Sequence, residues 1–188
     1  EPFRLYDCCL ENDGAAAMLV TSADRARDAN DHPVMVLAAQ QSGGHRSGSW
    51  VHNPTDYATS SFKPAAKYLY EQAGVTPEDV DVAQSYENFT GAVVMSLIEH
   101  GLCTYENANE VLTFDNLRAD GGKLPLNTSG GNLAECYMHG LGLQIEAVRQ
   151  VRGDSTNQVA NVDVSLANAG PMVEIASTAI YGSEAALG

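Results

Sequence analysis

Two short runs combine backbone freedom with side chains that can move a proton or hold a charged oxygen. Asn127-Thr128-Ser129-Gly130-Gly131-Asn132 precedes a stretch of helical spacing. Its paired glycines let backbone amides close on an anion or a carbonyl oxygen, although the same residues also suit a plain turn and helix cap. Ser85-Tyr86-Glu87-Asn88-Phe89 stands where a strand hands over to a helix. That place carries catalytic groups in many α/β proteins and ordinary capping residues in others. His32, His45, His52, His100 and His139 form no ligand spacing with Cys8, Cys9, Cys103 or Cys136, so no metal site is expected. His100 is expected to end a helix as a cation against the negative end of the dipole. Cys8 and Cys9, if in a strand, point to opposite faces and suit packing. No Cys-x-x-Cys, dinucleotide-type glycine loop, Walker loop or Ser/His/Asp set can be proposed from spacing, and the thiols are expected to be reduced.

The elements that must position these runs alternate between strand-like and helix-like. Ala15–Val20, after the turn signal Asp13-Gly14, reads as a strand buried on both faces, and residues 34–39 after Pro33 as a second. Residues 42–60 have no clear period and read as a long loop. Ser61 to Gly74 has helical spacing, with Ala65, Ala66, Leu69 and Ala73 on one side and Gly74 as the stop. Thr76-Pro77-Glu78-Asp79 is a cap with proline in the first turn. Residues 80–85 read as a strand and 89–100 as a helix stopped by Gly101. After a second long loop over 115–131 comes a helix with Tyr137, Leu141, Ile145 and Val148 as apolar positions. Residues 159–166 and 173–180 close the chain as two strands. Strands alternating with helices predict an α/β domain, a mixed sheet covered by helices.

The chain has 188 residues, enough for one domain with a sizeable core. Its 10 Lys and Arg against 24 Asp and Glu leave a net charge of −14, which argues against nucleic acid or an anionic membrane as partner. The longest apolar runs, near 15–20 and 92–98, fall short of the roughly 20 residues that span a bilayer. The opening Glu1-Pro2-Phe3-Arg4 carries no signal segment, so the sequence is expected to be a piece of a cytoplasmic protein.

Taken together, the motifs resemble the C-terminal half of a thiolase over essentially all of residues 1–188. Asp7-Cys8-Cys9 with Asp13-Gly14-Ala15-Ala16-Ala17 looks like the start of that half. Val80-Asp81-Val82 with Tyr86-Glu87-Asn88-Phe89 resembles the segment ending in Asn-Glu-Ala-Phe. Asn127-Thr128-Ser129-Gly130-Gly131 is similar to the Asn-Pro-Ser-Gly-Gly loop before the family's Gly-His-Pro, and Ser165 to Gly170 sits where thiolases carry Cys-x-Gly. The resemblance implies a thiolase-like layered domain and an N-terminal half, about as long again, outside these residues.

Three active-site positions depart from the family together. Cys136-Tyr137-Met138 stands where Gly-His-Pro belongs, Ala167 where the second cysteine belongs, and Tyr86 where the strand-end Asn or His belongs. Claisen chemistry needs a cysteine nucleophile and its acid–base partners, and this set does not provide them. The pattern looks instead like the actinobacterial thiolase-like aldolases that cleave steroid side chains, often described as lipid-transfer proteins. That resemblance implies retro-aldol cleavage of a steroid β-hydroxyacyl-CoA to a ring ketone and a shorter acyl-CoA, propionyl-CoA in the best-known branch.

It further implies a helix that starts near Tyr137, where the apolar period alone would start it near Asn132, with Tyr137 at its N-terminus as principal acid–base and Tyr86 as its counterpart, base and acid being left open between them. Asn127 and the Gly131 backbone would give polar support, and Glu87 would orient one phenol. Gly130, Gly131, His139 and Ser61 would bind substrate, while Cys136 and His139 lie on other faces if the segment is helical. CoA enters as part of the substrate, with no separate cofactor. The implied partners are an OB-fold, acyl-CoA-associated protein and the N-terminal half, in a dimer or hetero-oligomer. The rival readings are an acyl-CoA thiolase whose nucleophile lies outside these residues, and a non-catalytic acyl-CoA-binding subunit.

Overall fold

The computed structural model describes residues 3–43, 59–171 and 175–187. Four strands, β1 (Met35–Ser42), β2 (Val82–Gln84), β3 (Val164–Ala169) and β4 (Ala176–Gly182), form one sheet in the order β1-β4-β3-β2. β1 and β3 each pair antiparallel with β4, whereas β2 runs parallel to β3, so the sheet is mixed. In chain order the α-helices are α1 (Ala23–Ala29), α2 (Lys63–Ala73), α3 (Thr90–Glu99), α4 (Ala108–Val111), α5 (Phe114–Leu117), α6 (Gly131–Ala134) and α7 (Leu141–Arg152).

Alternation along the strands divides the core. On one face Leu166 of β3 and Ile180 of β4 meet Leu69 of α2, with Ala38, Val80 and Val164. The next residues along, Ala167 and Tyr181, point the other way and pack with Ala147 of α7. A third cluster joins Val93 and Leu97 of α3 to Ala83, Cys103 and Leu124. The helix over 61–74 forms as its spacing predicts, with Gly74 closing it in the left-handed conformation at φ 71°. Thr76 and Asp79 cap a single 3-10 turn.

Several expectations are corrected. Ala15–Val20 is not a strand: it has no sheet neighbour among the described residues, and Leu19 and Val20 are 92% and 70% exposed. Cys8 and Cys9 lie outside any strand, Cys8 making an isolated bridge to Phe89. The proposed long loop over 42–60 falls mostly outside the described residues, and Ser42 belongs to β1. Residues 115–117 of the second loop are helical. The helix expected to start near Tyr137 by the family pattern, or near Asn132 by its period, is two pieces, α6 and α7, with Tyr137 in the irregular stretch between them. α6 ends at Ala134, and the left-handed backbone of His139 and Gly140, at φ 52° and 85°, keeps the stretch before α7 out of a helix. Four-residue α6 is too short to act as a sustained dipole.

His100 caps α3, but it is no cation. Its ring is 1% exposed and rests on Phe62. Burial lowers its pKa to about 4, so it stays neutral, with Nδ1 against Ser96 O and Nε2 against Thr178 Oγ1. No described helix is long and apolar enough to cross a membrane.

Candidate active site

The two runs meet because three stretches of backbone run parallel to a common edge. Residues 125–127 flank β2 on the side away from β3: Ala83 N–H donates to Pro125 O at 3.0 Å, and Asn127 N–H donates to Ala83 O at 3.0 Å. The C-terminal ends of this stretch, of β2 and of β3 therefore gather Asn127, Ser85-Tyr86 and Asn168 in one place. Side chains at such ends project beyond the sheet, where a ligand can reach them.

Asn127 and Asn168 both act on the backbone that leads into Tyr86. Asn127, itself at φ 49°, accepts from Ser85 N–H at 2.7 Å through Oδ1 and donates to Ser85 O at 2.8 Å through Nδ2. Asn168 Oδ1 accepts from Tyr86 N–H at 2.9 Å, and its Nδ2 donates to Ser85 Oγ at 3.1 Å. Asn168 is the polar side chain that β3 delivers here, whereas Ala167 is buried under α7. The sequence reading missed Asn168; the signal was its offset from Ala167 in a strand, which turns it to the opposite face.

The phenols themselves are paired. Tyr86 Oη donates to Tyr137 Oη at 2.9 Å, with the rings tilted edge-on at 67°. Tyr86 is 6% exposed, and burial, followed by the bond to Tyr137, raises its pKa well above the usual phenol value. It therefore holds its proton and acts as a donor. Its ring lies against Gly140, where a Cβ would come within 2.7 Å of Tyr86 Cδ2. Tyr137 also faces His139, whose ring centroid is 4.8 Å away and whose backbone takes φ 52°. His139, Gly140 and Ala169 also line an open cleft of about 700 Å³ whose other walls come from β1, β4 and α7.

Glu87 does not orient a phenol through any of its described bonds. Its carboxylate accepts from Asn132 Nδ2 at 3.1 Å and from Leu133 N–H at 3.2 Å, binding the turn that opens α6. Burial raises its pKa to about 7, against the opposing pull of these donors. Gly131, at φ 58°, leaves the space that the Glu87 carboxylate fills, since a Cβ there would overlap Glu87 Oε1. Gly130 precedes it at φ 98°. Ser61 is not brought to the tyrosines by any described bond. At φ 72°, it accepts from Ser42 Oγ at 2.6 Å through its carbonyl, beside the start of α2, whose amides are capped by Glu99.

Beneath the loop a buried polar network fixes Thr128. Its Oγ1 accepts from Gln84 Nε2 and Gln150 Nε2, each at 2.9 Å, and donates to Glu146. No three described His, Cys, Asp or Glu side chains are grouped so as to hold a metal.

Residues 41–183 match the family model for the thiolase C-terminal domain-like fold. The chain belongs to the thiolase C-terminal domain-like family. Within it, the chain is 41% identical over 172 residues to the 17-hydroxy-3-oxo-4-pregnene-20-carboxyl-CoA lyase of Mycobacterium tuberculosis, covering 90% of this chain and 44% of that one. It is 39% identical to the steroid side-chain-cleaving aldolase of Thermomonospora curvata, again over 90% of this chain and 44% of the relative. Among solved structures, the Ltp2-ChsH2(DUF35) aldolase superposes with a TM-score of 0.91 at 37% identity, covering 98% of this chain and 48% of that one. This thiolase C-terminal domain thus spans less than half the length of the relatives it matches.

Proposed function

We propose that this domain supplies the acid–base half of a carbon–carbon lyase that cleaves a steroid β-hydroxyacyl-CoA by a retro-aldol reaction. The observation that carries the reading is the phenol pair, Tyr86 Oη to Tyr137 Oη at 2.9 Å, at the end of the parallel strands. A base removes the proton of the ring hydroxyl, the oxygen's electrons form the ketone, and the Cα–Cβ bond breaks. Its electron pair passes to the α-carbon as a thioester enolate, which is then protonated. Nothing is oxidised, and no covalent nucleophile is used.

Tyr137 is assigned the proton exchange with the substrate, since its oxygen accepts from Tyr86 and its ring lies beside that of His139, which lines the cleft. Tyr86, kept protonated, stabilises charge that develops on Tyr137 by donating to it. Asn127 fixes the Ser85-Tyr86 backbone, and Glu87 fixes Gly131 to Leu133, so both act through position. Gly130, Gly131 and His139 lie along the approach to the acyl group, and Ser61 serves a more distant part of the CoA thioester. CoA is part of the substrate, and no further cofactor is required by the electron balance.

The full site requires an N-terminal thiolase half and an OB-fold, acyl-CoA-associated protein in a hetero-oligomer. The likeness to the Ltp2-ChsH2(DUF35) aldolase supports this arrangement. The test gives the complete protein, with its associated subunit, a ring-hydroxylated steroid β-hydroxyacyl-CoA in the absence of free CoA. A ring ketone and propionyl-CoA are the expected products. Turnover only of a β-ketoacyl-CoA, and only with free CoA, would make the protein a thiolase instead.

A further inference from the structure

We infer that Asn12 is a positioning residue for the reaction, holding Tyr137 at its working distance from Tyr86; this rests on the lyase reading. Tyr137 lies between α6 and α7, where no helical bond reaches its amide. Instead Tyr137 N–H donates to Asn12 Oδ1 at 2.8 Å, across 125 positions of sequence. The other arm of the same amide, Asn12 Nδ2, donates to Cys136 Sγ at 2.8 Å. Asn12 thus grips two consecutive residues of a segment in which the Cys136 and Leu141 amides turn back to Gly131 O and Met138 O.

The fit around the grip is close. A Cβ on Gly14 would lie 2.5 Å from Cys136 Sγ and 3.1 Å from Met138 Cγ, so the chain must pass here without a side chain. The same strap also holds the segment that carries the other tyrosine. Cys9 N–H donates to Asn88 O at 3.0 Å, Cys8 bridges to Phe89, and Thr90 Oγ1 donates to Asp7 Oδ1 at 2.9 Å. Residues 7–14 therefore tie together the two backbones whose side chains must meet. A phenol displaced by about 1 Å loses the alignment on which proton transfer depends.

Asn12 is exposed, so replacing it leaves the core intact. The complete protein with its associated subunit is compared as wild type, Asn12→Ala, Asn12→Asp and Tyr137→Phe. Asn12→Ala should lower kcat by about tenfold or more with KM within about twofold, because the grip orients Tyr137 without touching substrate. Asn12→Asp keeps the oxygen acceptor and should recover kcat to within about threefold of wild type. Hydrogen exchange at the Tyr137 amide should quicken in Asn12→Ala and stay slow in Asn12→Asp. Wild-type kcat and exchange in Asn12→Ala, equal impairment in both Asn12 variants, or a rise in KM with kcat intact would each overturn the inference. Full activity in Tyr137→Phe would instead remove the lyase reading, and amide exchange would still decide whether Asn12 holds Tyr137.

Discussion

Burial holds Tyr86 in the phenol form, and its proton is directed at Tyr137 Oη. Removing either hydroxyl therefore has unequal consequences. On the proposed mechanism Tyr137→Phe takes away the group that exchanges protons with the substrate, and kcat for cleavage should fall by about 100- to 10,000-fold. Tyr86→Phe removes only the donor behind it, and a smaller loss of about 10- to 100-fold is expected in the same assay. Glu87 sets a pH signature of its own. Its folded pKa of about 7 lies above the ordinary 4.5 because it is buried, so the folded chain keeps a proton that the unfolded chain releases. Its stabilising contribution is full below the unfolded pKa and is lost as pH rises through the folded one. Against a Glu87→Gln reference, wild type should lose on the order of 3 kcal/mol across this window, read from denaturant melts at a series of pH values. An equal pH slope in both proteins would remove Glu87 as the source.

At the scale of elements, the loop that carries the site depends on one glycine and one hydroxyl. Gly131→Ala places a methyl on the Glu87 carboxylate in a left-handed backbone. It should destabilise by about 2 kcal/mol or more and depress activity, as thermal melts and turnover would report. Thr128→Val strands the buried Gln84 amide and takes one bond each from Gln150 and Glu146, and should cost about 1–3 kcal/mol in the same melts. The sequence predicted such elements well where local signals decide the outcome. Lys63–Ala73 ends at Gly74, and Thr76 caps its turn, because a left-handed glycine and a capping side chain act within a few residues. Tyr86 and Tyr137 were found through departures from a family motif, and their hydroxyls do meet. Asn12 was not found, since its role arises from a contact across 125 positions that no spacing encodes, and Asn168 carried only the offset from Ala167 that turns it to the opposite face of β3. The helix through Tyr137 fails for a related reason: its apolar period runs on, but His139 and Gly140 are left-handed where Gly140 packs against Tyr86, and α7 begins only after them.

The whole molecule shows the same dependence on what lies beyond a local segment. Ala15–Val20 has the composition of a buried strand, yet Leu19 and Val20 are exposed, as are Leu5, Tyr6 and Leu10 nearby. An apolar stretch becomes a strand only when another backbone supplies its hydrogen bonds. The 188-residue chain alone is therefore expected to bind a hydrophobic dye and to self-associate. Both effects should diminish when an N-terminal half is supplied, and dye binding unchanged by that half would contradict the proposed packing. On the proposed mechanism a pair of phenols, with no cysteine nucleophile, breaks the carbon–carbon bond. The most direct test is a single-turnover reaction of the complete protein and its associated subunit with the steroid β-hydroxyacyl-CoA, without free CoA, in wild type and Tyr137→Phe. Rapid release of ketone and shortened acyl-CoA by wild type, with the step lost in Tyr137→Phe, is the predicted result. Equal cleavage rates in the two proteins would contradict it.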